Sequence, residues 1–304
     1  MKKKLYNHLN DFYKQKFGER VLKIAVDAGF TCPNRDGNKG VGGCIFCSNR
    51  GSGDRLNKVS IEEQINNYFS SFKAKKANKF LVYFQNYTNT YASVDKLKSI
   101  YDSALIDERI IGLDIATRPD CINEEVVKLL ASYKEKYYIQ VELGLQTSNE
   151  VSHKNLNQQI TNDEFLNAVN LLNKYNIDIV IHIMVGLPNE THKDIENTVE
   201  FLNKVNYQGL KIHSTFVEKD TALFELYKLG KYIPISYEDY MEELIFVISH
   251  INPNIIVHRI SGDPYLPNFV APEWMMHKKK VINHIEELME IKGISQGMFF
   301  NEKN

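Results

Sequence analysis

Runs rich in β-branched and aromatic residues alternate along this chain with stretches whose apolar positions recur every three or four residues, the pattern of strands followed by amphipathic helices. It predicts strands near 21–28, 80–87, 110–117, 138–146, 177–186 and 207–215, and helices near 61–76, 94–105, 123–136, 162–175, 192–205 and 237–251. Ser60 and Thr161 each precede a glutamate by three positions, Glu63 and Glu164, which is the spacing of a capping box. Such a βα repeat makes an α/β fold with a parallel sheet or barrel, and six units are too few to close an eight-stranded one.

Within the strands the polar residues fall largely on one parity: Lys23 and Asp27; Tyr83, Gln85 and Tyr87; Asp114 and Arg118; Gln140, Glu142 and Gln146; His182; Lys211 and His213. The other parity is mainly Ile, Val and Leu. Helices should cover the apolar face, so the polar set must line the inside of the curled sheet, where it needs mutual partners, water or a ligand. Residues near strand C-termini are expected to face an active site. Those lower down, such as Lys23 and Gln140, are expected to form a satisfied polar core.

With 304 residues, 43% apolar and 25% charged, the chain can hold one large domain or two small ones. No span approaches the ~20 apolar residues of a membrane helix, and no apolar run follows the lysines at the N-terminus. The expectation is a cytoplasmic protein without a membrane partner. A formal charge of −1 gives no global nucleic-acid signature, leaving local clusters at Lys2 to Lys4, between Lys73 and Lys79, and at Lys278 to Lys280. Solvated helix faces are the better reading of each. Lysine outnumbers arginine 30 to 7, so Arg35, Arg50 and Arg55 in or beside one loop, and Arg118 after a strand, stand out as planar clamps for carboxylate or phosphate. Ordinary pairing is the alternative for each.

That loop, residues 29–54, is glycine-rich and holds Cys32, Cys44 and Cys47, with eleven residues between the first pair and two between the second. Its glycines permit the turns that bend three sulfurs toward one point. Crowded thiols of this kind fit metal ligands better than a disulfide framework. A zinc site wants four ligands, and here the local count stops at three, which leaves one corner open. A zinc knot completed by a histidine or by Cys121 is the competing reading.

The stretch CPNRDGNKGVGGCIFC resembles the small radical S-adenosylmethionine (SAM) family of the YtqA/YhcC type, relatives of the elongator catalytic subunit, which uses a widened first cysteine gap. The resemblance implies a partial (β/α)6 radical SAM barrel, in agreement with the count of units. It also implies a [4Fe–4S] cluster held by Cys32, Cys44 and Cys47, whose open iron takes the methionine end of SAM, and one-electron cleavage of SAM to a 5′-deoxyadenosyl radical. Many radical SAM proteins end the second strand in a glycine-rich motif; here the text is YFQNYTNTY, and Gln85 and Asn86 stand as positional substitutes. By the same resemblance Glu142 and Gln146 fall on a strand that reaches the ribose, and HIMVGLPNET on the turn beneath the adenine. The implied cofactor-binding set is Phe46, Gln85, Asn86, Arg118, Glu142, Gln146 and Met184. The implied substrate is a tRNA wobble uridine, trimmed from carboxymethylaminomethyl-uridine to aminomethyl-uridine, with a flavodoxin- or ferredoxin-like electron donor as second partner. A small metabolite or porphyrin-like substrate is the alternative, and a zinc-bound RNA-binding module is the alternative of another class.

The chain is expected to form a single domain, 1–304, with the barrel over 17–215 and a C-terminal α/β extension, 216–304, closing its open side. The extension should contain the helix at 237–251, a strand at 254–262, the turn-rich DPYLPNFVAPEW and a helix at 273–291. His258, Arg259, Asp263 and Trp274 concentrate recognition side chains there. Cys121, just past the third strand, is read as a buried inert thiol or a redox relay. The candidates for chemistry are Cys121, Arg259, Asp263 and His213.

Overall fold

The computed structural model describes residues 4–51 and 59–301. Arg55, the 52–54 end of the cysteine loop, Lys2 and Lys3 lie outside the described residues, as does the side chain of Lys278. In chain order the elements are α1 (Leu9–Phe17), β1 (Val21–Val26), α2 (Ile61–Phe69), β2 (Lys79–Phe84), α3 (Val94–Asp102), β3 (Ile110–Thr117), α4 (Glu124–Tyr133) and β4 (Tyr138–Gln146). There follow α5 (Glu150–Asn155), α6 (Asn162–Lys174), β5 (Asp178–Val185), α7 (His192–Asn203), β6 (Gly209–Ser214) and β7 (Val217–Glu218). The chain ends with α8 (Ala222–Lys228), α9 (Tyr237–His250), β8 (Ile256–Arg259), β9 (Phe269–Ala271) and α10 (Lys278–Lys292).

Seven strands form one sheet in the order β1-β2-β3-β4-β5-β6-β8, parallel throughout. The sheet is curled. In a flat sheet β1 and β4 would lie three strand spacings, about 14 Å, apart, yet Lys23 on β1 reaches Glu142 on β4 at 3.0 Å. This is the half-barrel that the repeat predicts, with one addition: the strand expected in the extension joins the main sheet beside β6 as β8. Its apolar face, including Ile24, Val82, Phe84, Ile115, Val141, Ile181 and Ile212, is fully buried beneath the helices. Each such side chain stabilises the fold by roughly 1.5–3 kcal/mol.

The helix α1, absent from the sequence reading, plugs the bottom of the half-barrel by packing Leu9, Phe12, Tyr13 and Phe17 against Val21, Leu81, Ile111 and Tyr138. Just before it, Asn7 accepts a backbone hydrogen bond from Val257 at 2.8 Å, and His8 forms a parallel bridge with Val257. The N-terminal segment thereby covers the free edge of β8. The two capping signals are realised in part and in full. Ser60 accepts from the Glu63 amide at 3.1 Å, and Thr161 and Glu164 make the reciprocal box. The first predicted helix stops at Phe69 because Ser70 turns back onto the Asn66 carbonyl at 2.9 Å, a local bond that competes with helix propagation. The helix expected at 273–291 divides into a short 3-10 turn, Glu273–His277, and α10.

Candidate functional site

The cysteine loop is fixed by its own turns. Arg35 and Asp36 amides donate to the Cys32 carbonyl at 2.8 and 3.2 Å, and the Cys47 amide donates to Cys44 at 2.9 Å. The Arg35 guanidinium crosses the loop to the carbonyls of Cys47 (2.8 Å) and Ser48 (2.6 Å), so it holds the loop together rather than waiting for an anion. It passes so close to Gly43 that an added Cβ would lie 2.7 Å from its Nε, and the φ of +79° there also demands glycine. Behind the loop, the connection between α5 and α6 braces it: Asn157 donates to the Gly43 and Val41 carbonyls at 2.8 and 3.1 Å, and the Ile45 amide donates to Leu156 at 3.0 Å. In front, the extension packs on it. The Leu223 amide donates to Ile45 at 2.8 Å, the Asn49 amide to Asp220 at 3.2 Å, and the Arg50 guanidinium stacks 4.1 Å from the Tyr265 ring centre.

The result is a cavity of about 520 Å³ at the C-terminal ends of the strands, with Cys32, Cys44 and Cys47 on one wall. All three thiols are half-buried. Burial, and then the neighbouring Cys47, push the Cys44 thiol up to about 12. A metal centre that takes the thiolate must displace that proton and supplies a positive charge directly against the sulfur. No three Cys, His, Asp or Glu side chains among the described residues are grouped tightly enough to share one metal ion. Three cysteines on one cavity wall supply one ligand fewer than a closed zinc site takes, which fits a [4Fe–4S] cluster with one open iron.

The same cavity gathers Phe46, Gln85, Arg118, Glu142, Gln146, Met184, His213, Arg259 and Asp263. Two sequence candidates lie elsewhere. Asn86 is buried behind the strand ends, where its amide donates to Asp27 at 2.8 Å. Cys121 sits on a 3-10 turn, Pro119–Cys121, and opens into a separate cleft of about 450 Å³ with Pro33, Lys39, Tyr91 and Asp120. Burial and the Asp120 carboxylate push its thiol well above the ordinary range. Arg118 reaches the main cavity with its fork already engaged, by two 2.9 Å bonds to Asp120 and one of 2.9 Å to the Gln158 carbonyl. Gln158, Phe216, Glu218 and Tyr265 also line the cavity. Glu218 lies on the two-residue β7 and the others on short connections, none with a periodicity the sequence could show, and only the tertiary fold brings them in.

Backbone strain marks the cavity rim. Tyr87, just past β2, has φ of 59°, and Gln146, at the end of β4, has φ of 70°, both left-handed conformations that a residue with a side chain adopts only under tertiary constraint. On β8 the register passes from Leu210 opposite Val257 to Lys211 opposite Arg259, so His258 is an extra residue in a bulge. The bulge resets the alternation, and His258, whose charged neighbours are Lys23, Glu142 and Lys211, no longer excludes Arg259 from the same side.

At the cavity floor Glu142 is the hub. Lys23 donates to its Oε1 at 3.0 Å, and His182 (2.8 Å) and Lys211 both meet its Oε2. Burial alone would push Glu142 up, but the Lys211 and Lys23 ammoniums outweigh it and hold the carboxyl well below the usual range. Burial lowers Lys211 to about 8, with Lys23 and Arg259 adding to the effect. Asp114, bound by Lys23 and by Gln140 at 2.9 Å, is raised to about 7 by burial and by the Glu142 charge. Because this carboxyl keeps a proton in the folded chain that it loses near pH ~4 when unfolded, its contribution to stability falls as pH rises from ~4 to about 7. Asp114→Asn cannot titrate, so its urea midpoint is expected to decline less than that of the wild type between pH ~5 and ~8. Equal declines would place the titration elsewhere.

Residues 32–202 match the radical SAM superfamily model, and residues 207–291 match the radical SAM C-terminal domain. YtqA of Bacillus subtilis is 37% identical over 302 residues, 98% of this chain and 93% of that protein. YhcC of Escherichia coli K12 is 31% identical over 293 residues, 96% and 94% of the two chains. Among solved structures, Elp3 of the archaeon Methanocaldococcus infernus superposes with a TM-score of 0.67 at 17% identity, covering 91% of this chain and 64% of that one, a likeness of fold. A half-barrel of parallel strands, a three-cysteine loop over their C-terminal ends and relatives aligned along nearly the whole length agree: the chain belongs to the YtqA/YhcC-type family of the radical SAM superfamily.

Proposed function

We propose that this radical SAM enzyme acts on a tRNA wobble uridine, converting carboxymethylaminomethyl-uridine to aminomethyl-uridine: SAM, reduced to methionine and 5′-deoxyadenosine, takes up the two electrons lost from the N–CH2 carbon, and water releases the two-carbon unit as glyoxylate. The observation that supports the reading best is the pairing, inside one cavity, of a cationic floor at Lys211 and Arg259 with the acidic Asp263 on the extension side. The group to be trimmed carries a carboxylate and an amine, and needs one site of each sign. The relation to the elongator subunit points to the same nucleotide.

When bound, the [4Fe–4S] cluster and SAM supply one-electron cleavage to a hydrogen-abstracting radical. This chain contributes the rest. Cys32, Cys44 and Cys47 hold the cluster, and Phe46, Gln85, Arg118, Gln146 and Met184 offer the walls beside it that would seat SAM. Phe216, Pro264 and Tyr265 line the cavity from the extension side. The base must be splayed from the RNA to enter. A flavodoxin- or ferredoxin-like donor would deliver the electron in the cytoplasm. No helix among the described residues is long and apolar enough to cross a membrane.

The test compares modified nucleosides in tRNA from cells with and without the gene, and follows binding of the purified cluster-loaded enzyme to that tRNA. Aminomethyl-uridine should be lost and its carboxymethylated precursor should accumulate. With about four phosphate contacts, affinity should fall roughly 100-fold between ~50 and ~200 mM salt. Unchanged nucleosides, together with salt-insensitive turnover of a metabolite, would favour the small-molecule alternative.

A further inference from the structure

We infer that Arg259, flanked by Lys211 and His213, forms an anion pocket in the half-barrel that holds the substrate by a carboxylate. Arg259 is half-buried and lines the cavity, yet no hydrogen bond or ion pair joins its guanidinium to any described residue. That contrasts with Arg35 and Arg118, whose forks are occupied within the fold. A guanidinium that faces a cavity and is not engaged within the fold is available to a ligand that enters there.

The two carboxylates at the cavity floor are already engaged. Both oxygens of Glu142 are taken by Lys23, His182 and Lys211, and Asp114 is taken by Lys23 and Gln140. Lys211 is committed to Glu142 and to the Tyr83 hydroxyl, 3.3 Å away, so it adds field rather than a free donor. His213 lines the same cavity, and its buried Nε2 also has no hydrogen-bond partner. Two unsatisfied nitrogen groups on adjacent strands, backed by a lysine, make a receptor for a planar anion. The fork of arginine matches the two oxygens of a carboxylate. The bulge at His258 is the backbone device that admits Arg259 to this position.

The inference rests on the cavity being the substrate site, and it holds whether the carboxylate belongs to a tRNA substituent or to a small metabolite. Two experiments on the full-length, cluster-loaded enzyme test it. In the first, N-methylglycine labelled with ¹³C in its carboxylate is titrated and its NMR linewidth is read, beside inorganic phosphate read by ³¹P. Broadening of the carboxylate signal is expected with the wild type, little with Arg259→Gln, and an intermediate degree with Arg259→Lys, which keeps the charge and loses the fork. In the second, kcat/KM is compared for tRNA carrying carboxymethylaminomethyl-uridine and for the same tRNA with the carboxylate replaced by a carboxamide. The wild type should prefer the carboxylate about 30- to 100-fold, and Arg259→Gln should reduce that preference to about 3-fold or less.

Carboxylate binding that depends on Arg259 without any tRNA turnover supports the pocket and overturns the tRNA reading. Turnover of tRNA with no carboxylate preference in the wild type overturns the pocket and leaves that reading intact. Broadening of phosphate in place of the carboxylate also overturns the pocket, in favour of a site for a backbone phosphate.

Discussion

Cys32→Ala, Cys44→Ala and Cys47→Ala are each expected to abolish cluster assembly, whereas Cys121→Ala should still bind about four irons and four sulfides per chain. The difference follows from position. The first three thiols share a cavity wall, and Cys121 faces a separate cleft on a short 3-10 turn. A cluster held by these three cysteines would leave its fourth iron open to SAM. Losing one sulfur removes a third of the protein ligands from the centre. Anaerobic reconstitution with iron and sulfide analysis provides the measurement. Loss of the cluster in Cys121→Ala would mean a fourth protein ligand, and with it no open iron for SAM. Stoichiometric zinc without iron would restore the knot as the better account.

Much of the site was legible in the sequence because one-sided polarity in a buried strand has few explanations. Lys23, Tyr83, Asp114, Glu142, His182 and Lys211 share the parity that predicts a lumen, and they meet there. The parity also separates Gln85, which lines the cavity, from Asn86, which does not. Arg259 shows the limit of alternation. A regular strand would send His258 and Arg259 to opposite faces, and the bulge that breaks this rule depends on pairing with β6, a partner no local pattern reveals. The plug α1 escaped for a related reason. Its apolar residues are interleaved with Asp11, Lys14 and Lys16, and only the bottom of the assembled half-barrel explains why Tyr13 is buried. The α5–α6 connection is the third case. Asn157 and Gln158 read as loop polarity, whereas their amides satisfy carbonyls of the cysteine loop and of β4.

Replacing Glu142 should have the largest effect on the fold itself. Its carboxylate is the common partner of Lys23, His182 and Lys211 in a place where its own exposure is 1%. Glu142→Ala leaves two buried ammoniums without it, and breaking a buried ion pair from one side costs about 3–5 kcal/mol. Against a total stability of about 5–15 kcal/mol, that is enough to make the variant fold poorly. Removing a cation as well should give back part of the loss. Glu142→Ala with Lys211→Met is therefore expected to be more stable than Glu142→Ala alone, with a coupling of about 1–3 kcal/mol in a urea-denaturation cycle. The pH dependence has a definite sign. A carboxyl held below its unfolded value contributes its stability above about pH 4.3 and loses it as pH falls through the folded value, so the contribution of Glu142 is intact at neutrality and fades only in strong acid. A ribose contact predicts something different from a hub. If Glu142→Gln folds with wild-type stability but no longer binds SAM, the carboxylate serves the cofactor directly. If the variant loses stability while the protein that does fold still binds SAM, the lumen charges are what Glu142 holds in place.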